Sequence, residues 1–177
     1  MQSGSPALYQ DRAYQTEAVE SIWRYFMSSV GNPLVAMPTG TGKSVVIARF
    51  LQSVFMRFPT QRVLILTHAQ ELIAQNYKKL KSIWPFSPAG IYSAGLKSKD
   101  SSKAITFAGI ASIVKQALLF GHIDLILIDE CHLVSPAEAT MYQRFIRDLM
   151  KRNPYLKVIG FTATPWRLGH GRLTDPI

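Results

Sequence analysis

Two short segments carry most of the chemistry available to this 177-residue sequence. The first is Pro38-Thr39-Gly40-Thr41-Gly42-Lys43-Ser44, set between an apolar run, Leu34–Met37, and an apolar stretch of helical spacing that begins near Lys43. Gly40 and Gly42 permit the left-handed backbone that turns successive N–H groups inward onto phosphate oxygens. The helix behind them adds its positive end. Lys43 is placed to reach the β- and γ-phosphates of a nucleotide, and the Ser44 hydroxyl to ligate Mg²⁺. Met37 stands where the GxxxxGK[ST] pattern has its first glycine, at a position that ends the strand. The plainer alternative is a glycine turn with a surface lysine. A dinucleotide-binding loop is disfavoured, because its third glycine would fall at Val45.

The second segment is Asp129-Glu130, directly behind the apolar run Leu125–Ile128. Parallel sheets bind ligands at the carboxyl ends of their strands, and two carboxylates there can divide the work of hydrolysis. Asp129 can hold Mg²⁺, and Glu130 can orient and deprotonate an attacking water. A lone Asp-Glu pair is more often a solvated turn, but one placed downstream of a phosphate loop is far more specific. Cys131-His132 suggests a metal site only weakly, since the sequence has no other cysteine and no helical histidine partner.

Positioning these groups requires alternating strands and helices, which predicts an α/β sandwich with a mostly parallel sheet and helices on both faces. Val19, Ile22, Trp23 and Phe26 fall at helical spacing. Helices are also expected from about Lys43 to Phe55, Glu71 to Lys81, Ile110 to Leu118, and through Tyr142–Met150 to a stop at Asn153-Pro154. Strands are expected at Leu34–Met37, Val63–Leu66, Ile105–Phe107, Leu125–Ile128 and Leu156–Phe161. Residues 1–10 read as a flexible tail and 11–177 as one domain. No repeat or internal linker interrupts it.

Hydrophobic residues make up 47% and charged residues 18%, a globular composition. No apolar run approaches the roughly 18 residues of a membrane helix, and no signal peptide is visible. One cysteine cannot form an internal disulfide, so a reducing cytoplasm is the expected compartment. The net charge is +9, and +7 of it lies between Arg57 and Lys115, where nine cations meet only Glu71 and Asp100. Such a stretch suits a nucleic acid or, equally, a solvated surface. A GTPase is disfavoured by the lack of an Asn-Lys-x-Asp element, and a kinase by the lack of acceptor and lid segments.

Taken in order, these residues resemble superfamily 2 helicases. Met37–Ser44 is similar to motif I, and Asp129–His132 to motif II of the DEAD/DEAH series, with Cys131 at the variable third place. Thr162-Ala163-Thr164 resembles motif III. Arg12-Ala13-Tyr14-Gln15 resembles the Q-motif, Thr67–Leu72 motif Ia, and Ala108-Gly109-Ile110 the region of motif Ib. The resemblance implies the first RecA-like lobe of an ATP hydrolase with ATP and Mg²⁺ as cofactors. Gln15 would read the adenine edge. Arg12 would support it, or is a surface arginine at a helix start. His132, Thr162 and Thr164 would couple nucleotide state to grip on nucleic acid. Thr67, His68, Gly109 and Ser112 would touch the nucleic-acid backbone; their alternative is loop and helix-cap work.

Tyr92–Lys97, Asp129–His132 and Gly160–Gly169 further resemble RadD-type bacterial DNA repair proteins. That implies DNA, single- or double-stranded, as partner, with DNA repair proteins besides, and the bacterial cytoplasm or nucleoid as location. Restriction-type translocases share much of the same lobe. The resemblance also implies a second RecA-like lobe with motifs IV to VI, so the chain is expected to be part of a longer protein. A phosphoryl-charge-stabilising arginine from such a lobe is worth roughly 10³–10⁵ in rate where measured in other NTPases. In isolation the chain is expected to bind nucleotide and DNA with little turnover.

Overall fold

The computed structural model describes residues 11–164, 166–167 and 171–172. The tail expected at 1–10 lies outside the described residues, as do Pro165 and residues 168–170 of the last motif.

The helices are α1 (Ala13–Ser28), α2 (Lys43–Arg57), α3 (Gln70–Ile83), α4 (Ile110–Ile113), α5 (Ala117–Phe120) and α6 (Pro136–Met150). The strands are β1 (Leu34–Ala36), β2 (Val63–Thr67), β3 (Ala89–Ser93), β4 (Ser98–Lys99), β5 (Ile105–Gly109), β6 (Leu125–Ile128) and β7 (Lys157–Thr162). They form one sheet in the order β1-β7-β6-β2-β5-β3-β4, parallel throughout except where β4 runs against β3. Beyond it, β8 (Trp166–Arg167) and β9 (Gly171–Arg172) pair as an antiparallel ribbon.

Both faces of the sheet are covered, which is why its strands read as apolar runs rather than alternations. Val63 and Ile65 of β2, Ile105 and Phe107 of β5, and Leu125 and Leu127 of β6 join one core with α1, α2 and α3. Leu64, Leu66, Ala108 and Ile126 point the other way, into a second core with α4, α5 and α6. On α2, Val46, Ile47, Phe50, Leu51 and Val54 recur at helical spacing and are all buried. The three-layer sandwich expected from the alternation is the one observed.

Two expectations need correction. The single helix anticipated over Ile110–Leu118 is two separate turns. Gln116 N–H bonds back to the Ile113 carbonyl at 2.7 Å, three residues away. Ile110 and Ile113 on the first turn and Ala117 and Phe120 on the second are all buried in the same core. A strand at Ala89–Ser93 had no counterpart in the expected set. Only Ile91 and Tyr92 are large and apolar there, and its pairing with β5 rather than its own pattern makes it a strand.

Candidate nucleotide site and nucleic-acid face

The phosphate loop joins β1 to α2. Gly40 (φ +79°) and Gly42 (φ +84°) are both left-handed. Thr41 N–H and Oγ1 both donate to the Pro38 carbonyl, at 3.3 and 2.7 Å, closing the loop on itself. Gly42 caps α2 without a side-chain hydrogen bond. The first N–H groups of a helix have no intrahelical partner, so this N-terminus is suited to an anion. Pro38, Thr39 and Gly40 are exposed, while Lys43 and Ser44 are half-buried at its base.

Strands β1, β7 and β6 bring the two distant chemical segments together. Ala36 lies in register with Thr162 on β7, and Ile128 with Gly160. Lys43 Nζ therefore reaches both carboxylates, lying 3.1 Å from Asp129 Oδ1 and pairing directly with Glu130 Oε1. Among the described residues, Glu130 is one of two non-glycine residues with positive φ, at +50°, the other being Lys97. Left-handed backbone is costly for a residue with a Cβ. Here it turns the Glu130 side chain back from a short 3₁₀ turn, Cys131–Leu133, towards Lys43. Glu130 Oε2 is buried with no hydrogen-bond partner.

Asp129 is 4% exposed and is held from two sides. Its Oδ1 accepts the Glu130 N–H at 2.9 Å, and its Oδ2 accepts Asn76 Nδ2–H at 2.7 Å. The donor set fits Mg²⁺, since Asp129 and Ser44 offer hard oxygen atoms. Among the described residues no three His, Cys, Asp or Glu side chains form a metal cage. Mg²⁺ is commonly held by one or two carboxylates, with phosphate oxygens and water completing its shell.

His132 connects motif II to motif III. Its Nδ1 lies 2.9 Å from Thr162 Oγ1 and 3.4 Å from Glu130 Oε2. Thr162 Oγ1 also lies 2.7 Å from the Thr164 carbonyl and accepts the Thr164 N–H. A hydroxyl has one proton. If Thr162 donates it to the Thr164 carbonyl, His132 must carry its proton on Nδ1. His132, Thr162 and Thr164 thus form one hydrogen-bonded chain, with His132 also within ion-pair distance of Glu130 Oε2.

Gln15 departs from expectation. It is 2% exposed, with Oε1 accepting the Arg12 N–H at 3.0 Å and Nε2 donating to the Thr41 carbonyl at 3.1 Å. A Cβ at Gly42 would stand 2.4 Å from Gln15 Nε2. The amide is occupied in bracing the phosphate loop against α1 rather than facing outward towards a base. Tyr14 adds to that brace by donating its hydroxyl to the same carbonyl at 2.8 Å, while accepting from Arg12 Nη1.

The residues expected on nucleic acid do gather. Thr67 and Gly109 are register partners at the carboxyl ends of β2 and β5, and Ser112 Oγ accepts the Ala94 N–H at 3.4 Å. Thr67, however, is wholly buried and its hydroxyl donates to the Ala69 carbonyl, so it supports the loop from beneath. Its small polar side chain at a strand end is satisfied locally. His68 and Gly109 are half-buried, and His68 Nδ1 is buried without a partner.

A profile of the type III restriction enzyme, res subunit, matches residues 8–167. The chain belongs to this family. The DEAD-box ATP-dependent DNA helicase Fancm of Drosophila melanogaster is 27% identical over 172 residues, covering 88% of this chain and 11% of that protein. The UvsW helicase of bacteriophage T4 superposes with a TM-score of 0.66 at 20% identity, over 87% of this chain and 52% of that one. The Hef helicase domain of Pyrococcus furiosus gives 0.69 at 21%, over 89% and 34%. The chain spans only about a tenth to a half of the length of these relatives. The fold is the one these helicase structures share, a mostly parallel sheet covered by helices on both faces.

The basic stretch is less uniform than its composition implied. The Arg62 guanidinium donates to the Phe120 and Ser101 carbonyls at 2.8 and 2.7 Å. Arg57 stacks 4.5 Å over the Trp23 ring, and Lys81 donates to the Ser87 carbonyl. These cations hold the fold together. Lys97, left-handed at φ +52°, and Lys99 are exposed beside the loop that follows β3.

Sequence reading also missed two residues. Asn76 sits on the stripe Ile73, Asn76, Tyr77, Leu80, where a polar residue at an apolar spacing was the available signal. The Gln70 side chain lies where a Cβ on Gly95 would be, 1.9 Å from Oε1, which locks α3 onto the β3 loop. No local pattern marked that contact.

Proposed function

We propose that this lobe binds ATP with Mg²⁺ and that the whole protein hydrolyses it to move on or remodel DNA. The observation that carries the reading is Lys43, drawn between Asp129 and Glu130 at the uncapped start of α2. A lysine held by two carboxylates at a helix N-terminus is placed to exchange them for β- and γ-phosphate oxygens. Asp129 and Ser44 hold Mg²⁺, which neutralises charge across the phosphates when bound. Glu130 takes the proton of the attacking water on Oε2, the oxygen with no hydrogen-bond partner. Gln15 acts on the nucleotide through the loop it braces. His132, Thr162 and Thr164 carry the state of Glu130 towards the lobe's far side.

The nucleic-acid partner is DNA, a reading supported by the name of the fly relative and by the exposed Lys97 and Lys99, which lie in and just after the β3 loop that bonds Ser112 through Ala94. A second RecA-like lobe completes the hydrolytic site, and DNA repair proteins in the cytoplasm or nucleoid are further partners. No helix among the described residues is long and apolar enough to cross a membrane. The RadD-type reading rests on Tyr92–Lys97, Asp129–His132 and Gly160–Gly169. A restriction-type translocase is the second reading, favoured by the family profile itself.

The test is a titration of this chain with a fluorescent ATP analogue in Mg²⁺, beside Lys43→Ala, with phosphate release followed with and without single-stranded DNA. Binding lost in Lys43→Ala, with turnover near background, supports a competent lobe that needs its partner lobe. No binding by the unmodified chain overturns the reading of the site.

A further inference from the structure

Asn76 does nothing in the chemistry above, yet it spends its amide on the most buried carboxylate of the site. It lies on the core-facing stripe of α3 and shares a void of about 10 Å³ with Ser44, Ile47, Ile65, Leu80 and Phe107. An amide among such neighbours is costly unless it is hydrogen-bonded. Its bond is to Asp129 Oδ2, at 2.7 Å, across 53 residues of sequence.

The terminal torsion of an aspartate is broad, so backbone geometry alone leaves the carboxylate plane loosely defined. Two donors on opposite oxygens remove that freedom. The Glu130 N–H holds Oδ1, and Asn76 holds Oδ2. With Oδ2 occupied, Oδ1 is the oxygen turned to Lys43. We infer that Asn76 is a positioning residue, which fixes the Asp129 carboxylate in the orientation that ligates Mg²⁺ and so sets the Mg²⁺ requirement of nucleotide binding. This rests on the nucleotide site proposed above. Partners that orient a metal ligand from behind typically contribute about 10–100-fold to metal affinity when removed.

The experiment measures affinity for a fluorescent ATP analogue across a Mg²⁺ titration and in EDTA, for this chain and for Asn76→Leu, with thermal melts alongside. The expected result is affinity in EDTA within about twofold of the unmodified chain, and a Mg²⁺ half-saturation point raised about tenfold or more. Should Asn76→Leu fail to fold, Asn76→Ser carries the same measurement, being too short to reach Oδ2. Asn76→Gln, which keeps an amide donor, is expected to recover part of the Mg²⁺ response. Equal loss of affinity with and without Mg²⁺ would assign Asn76 a purely structural role and overturn the inference. If the unmodified chain responds to Mg²⁺ and the variants respond identically, this inference alone falls. If the unmodified chain binds nucleotide no better with Mg²⁺ than without, the reading of Asp129 falls with it.

Discussion

Lys43 Nζ lies 3.1 Å from Asp129 Oδ1, with only 13% and 5% of the two side chains exposed. Removing one partner of a pair this buried leaves the other charge uncompensated, at a cost of about 3–5 kcal/mol. Lys43→Ala is therefore expected to lower the denaturant midpoint as well as nucleotide affinity, the latter by roughly 10–100-fold. Adding Glu130→Gln should restore part of the stability but none of the affinity. A Lys43→Ala chain as stable as the unmodified one would show that the pair contributes no net free energy.

Gly42 and Gly40 share a left-handed backbone but not their surroundings. A Cβ at Gly42 meets Gln15 Nε2 at 2.4 Å, whereas one at Gly40 meets nothing within 4 Å. Gly40→Ala is expected to cost only the backbone strain, about 1–2 kcal/mol. Gly42→Ala should cost more, because it also displaces Gln15 from the Thr41 carbonyl. Urea melts of the two variants decide this, and equal costs would contradict the brace between α1 and the loop.

Arg62 and Lys97 were counted together by charge, and the structure separates them. Arg62→Ala removes two charged hydrogen bonds to carbonyls and is expected to destabilise by about 2–4 kcal/mol, with DNA affinity unchanged. The double change Lys97→Ala, Lys99→Ala should leave the melting temperature alone. It should weaken DNA binding and reduce the slope of log affinity against log salt by about 1–2. The opposite assignment of effects would remove the β3 loop from the nucleic-acid face.

Tyr142 is 4% exposed and its hydroxyl has no hydrogen-bond partner. Burial, with Glu138 and Cys131 adding to it, holds its ionisation well above the usual tyrosine range. Tyr142→Phe deletes an unsatisfied polar atom while keeping the ring, so stability is expected to stay constant or rise by up to about 1 kcal/mol. A loss above that would show the hydroxyl is bonded in solution.

Helix α6 begins with a reciprocal cap in which Ser135 Oγ accepts the Glu138 N–H and Glu138 accepts the Ser135 N–H. The Ser135 hydrogen bonds hold the Glu138 carboxyl below its ordinary value of 4.5. A lowered folded-state value favours the charged form. Its contribution is therefore complete above the unfolded value and is lost as pH falls from about 4.5 through the lower folded one. Ser135→Ala should cost about 1 kcal/mol at pH 7. Glu138→Gln should flatten the part of the stability profile below pH 5 that this group contributes, measured as denaturant midpoints between pH 6 and 3.

Much of this protein was determined by residues close in sequence. The two left-handed glycines, the lysine at the start of α2 and the carboxylates at the end of β6 follow from spacing, because turn chemistry and helix ends are local. The buried strands were legible because a sheet covered on both faces needs unbroken apolar runs. What only packing decided lies between residues far apart: Gln15 with Thr41, His132 with Thr162, and Asn76 with Asp129. Each is a polar group at least partly buried, where a hydrogen bond must be found within the fold, and the partner depends on which strands become neighbours. The strand Ala89–Ser93 and the burial of Thr67 have the same origin. Neither residue run announces itself, and both are set by the register of β5 against its two parallel neighbours.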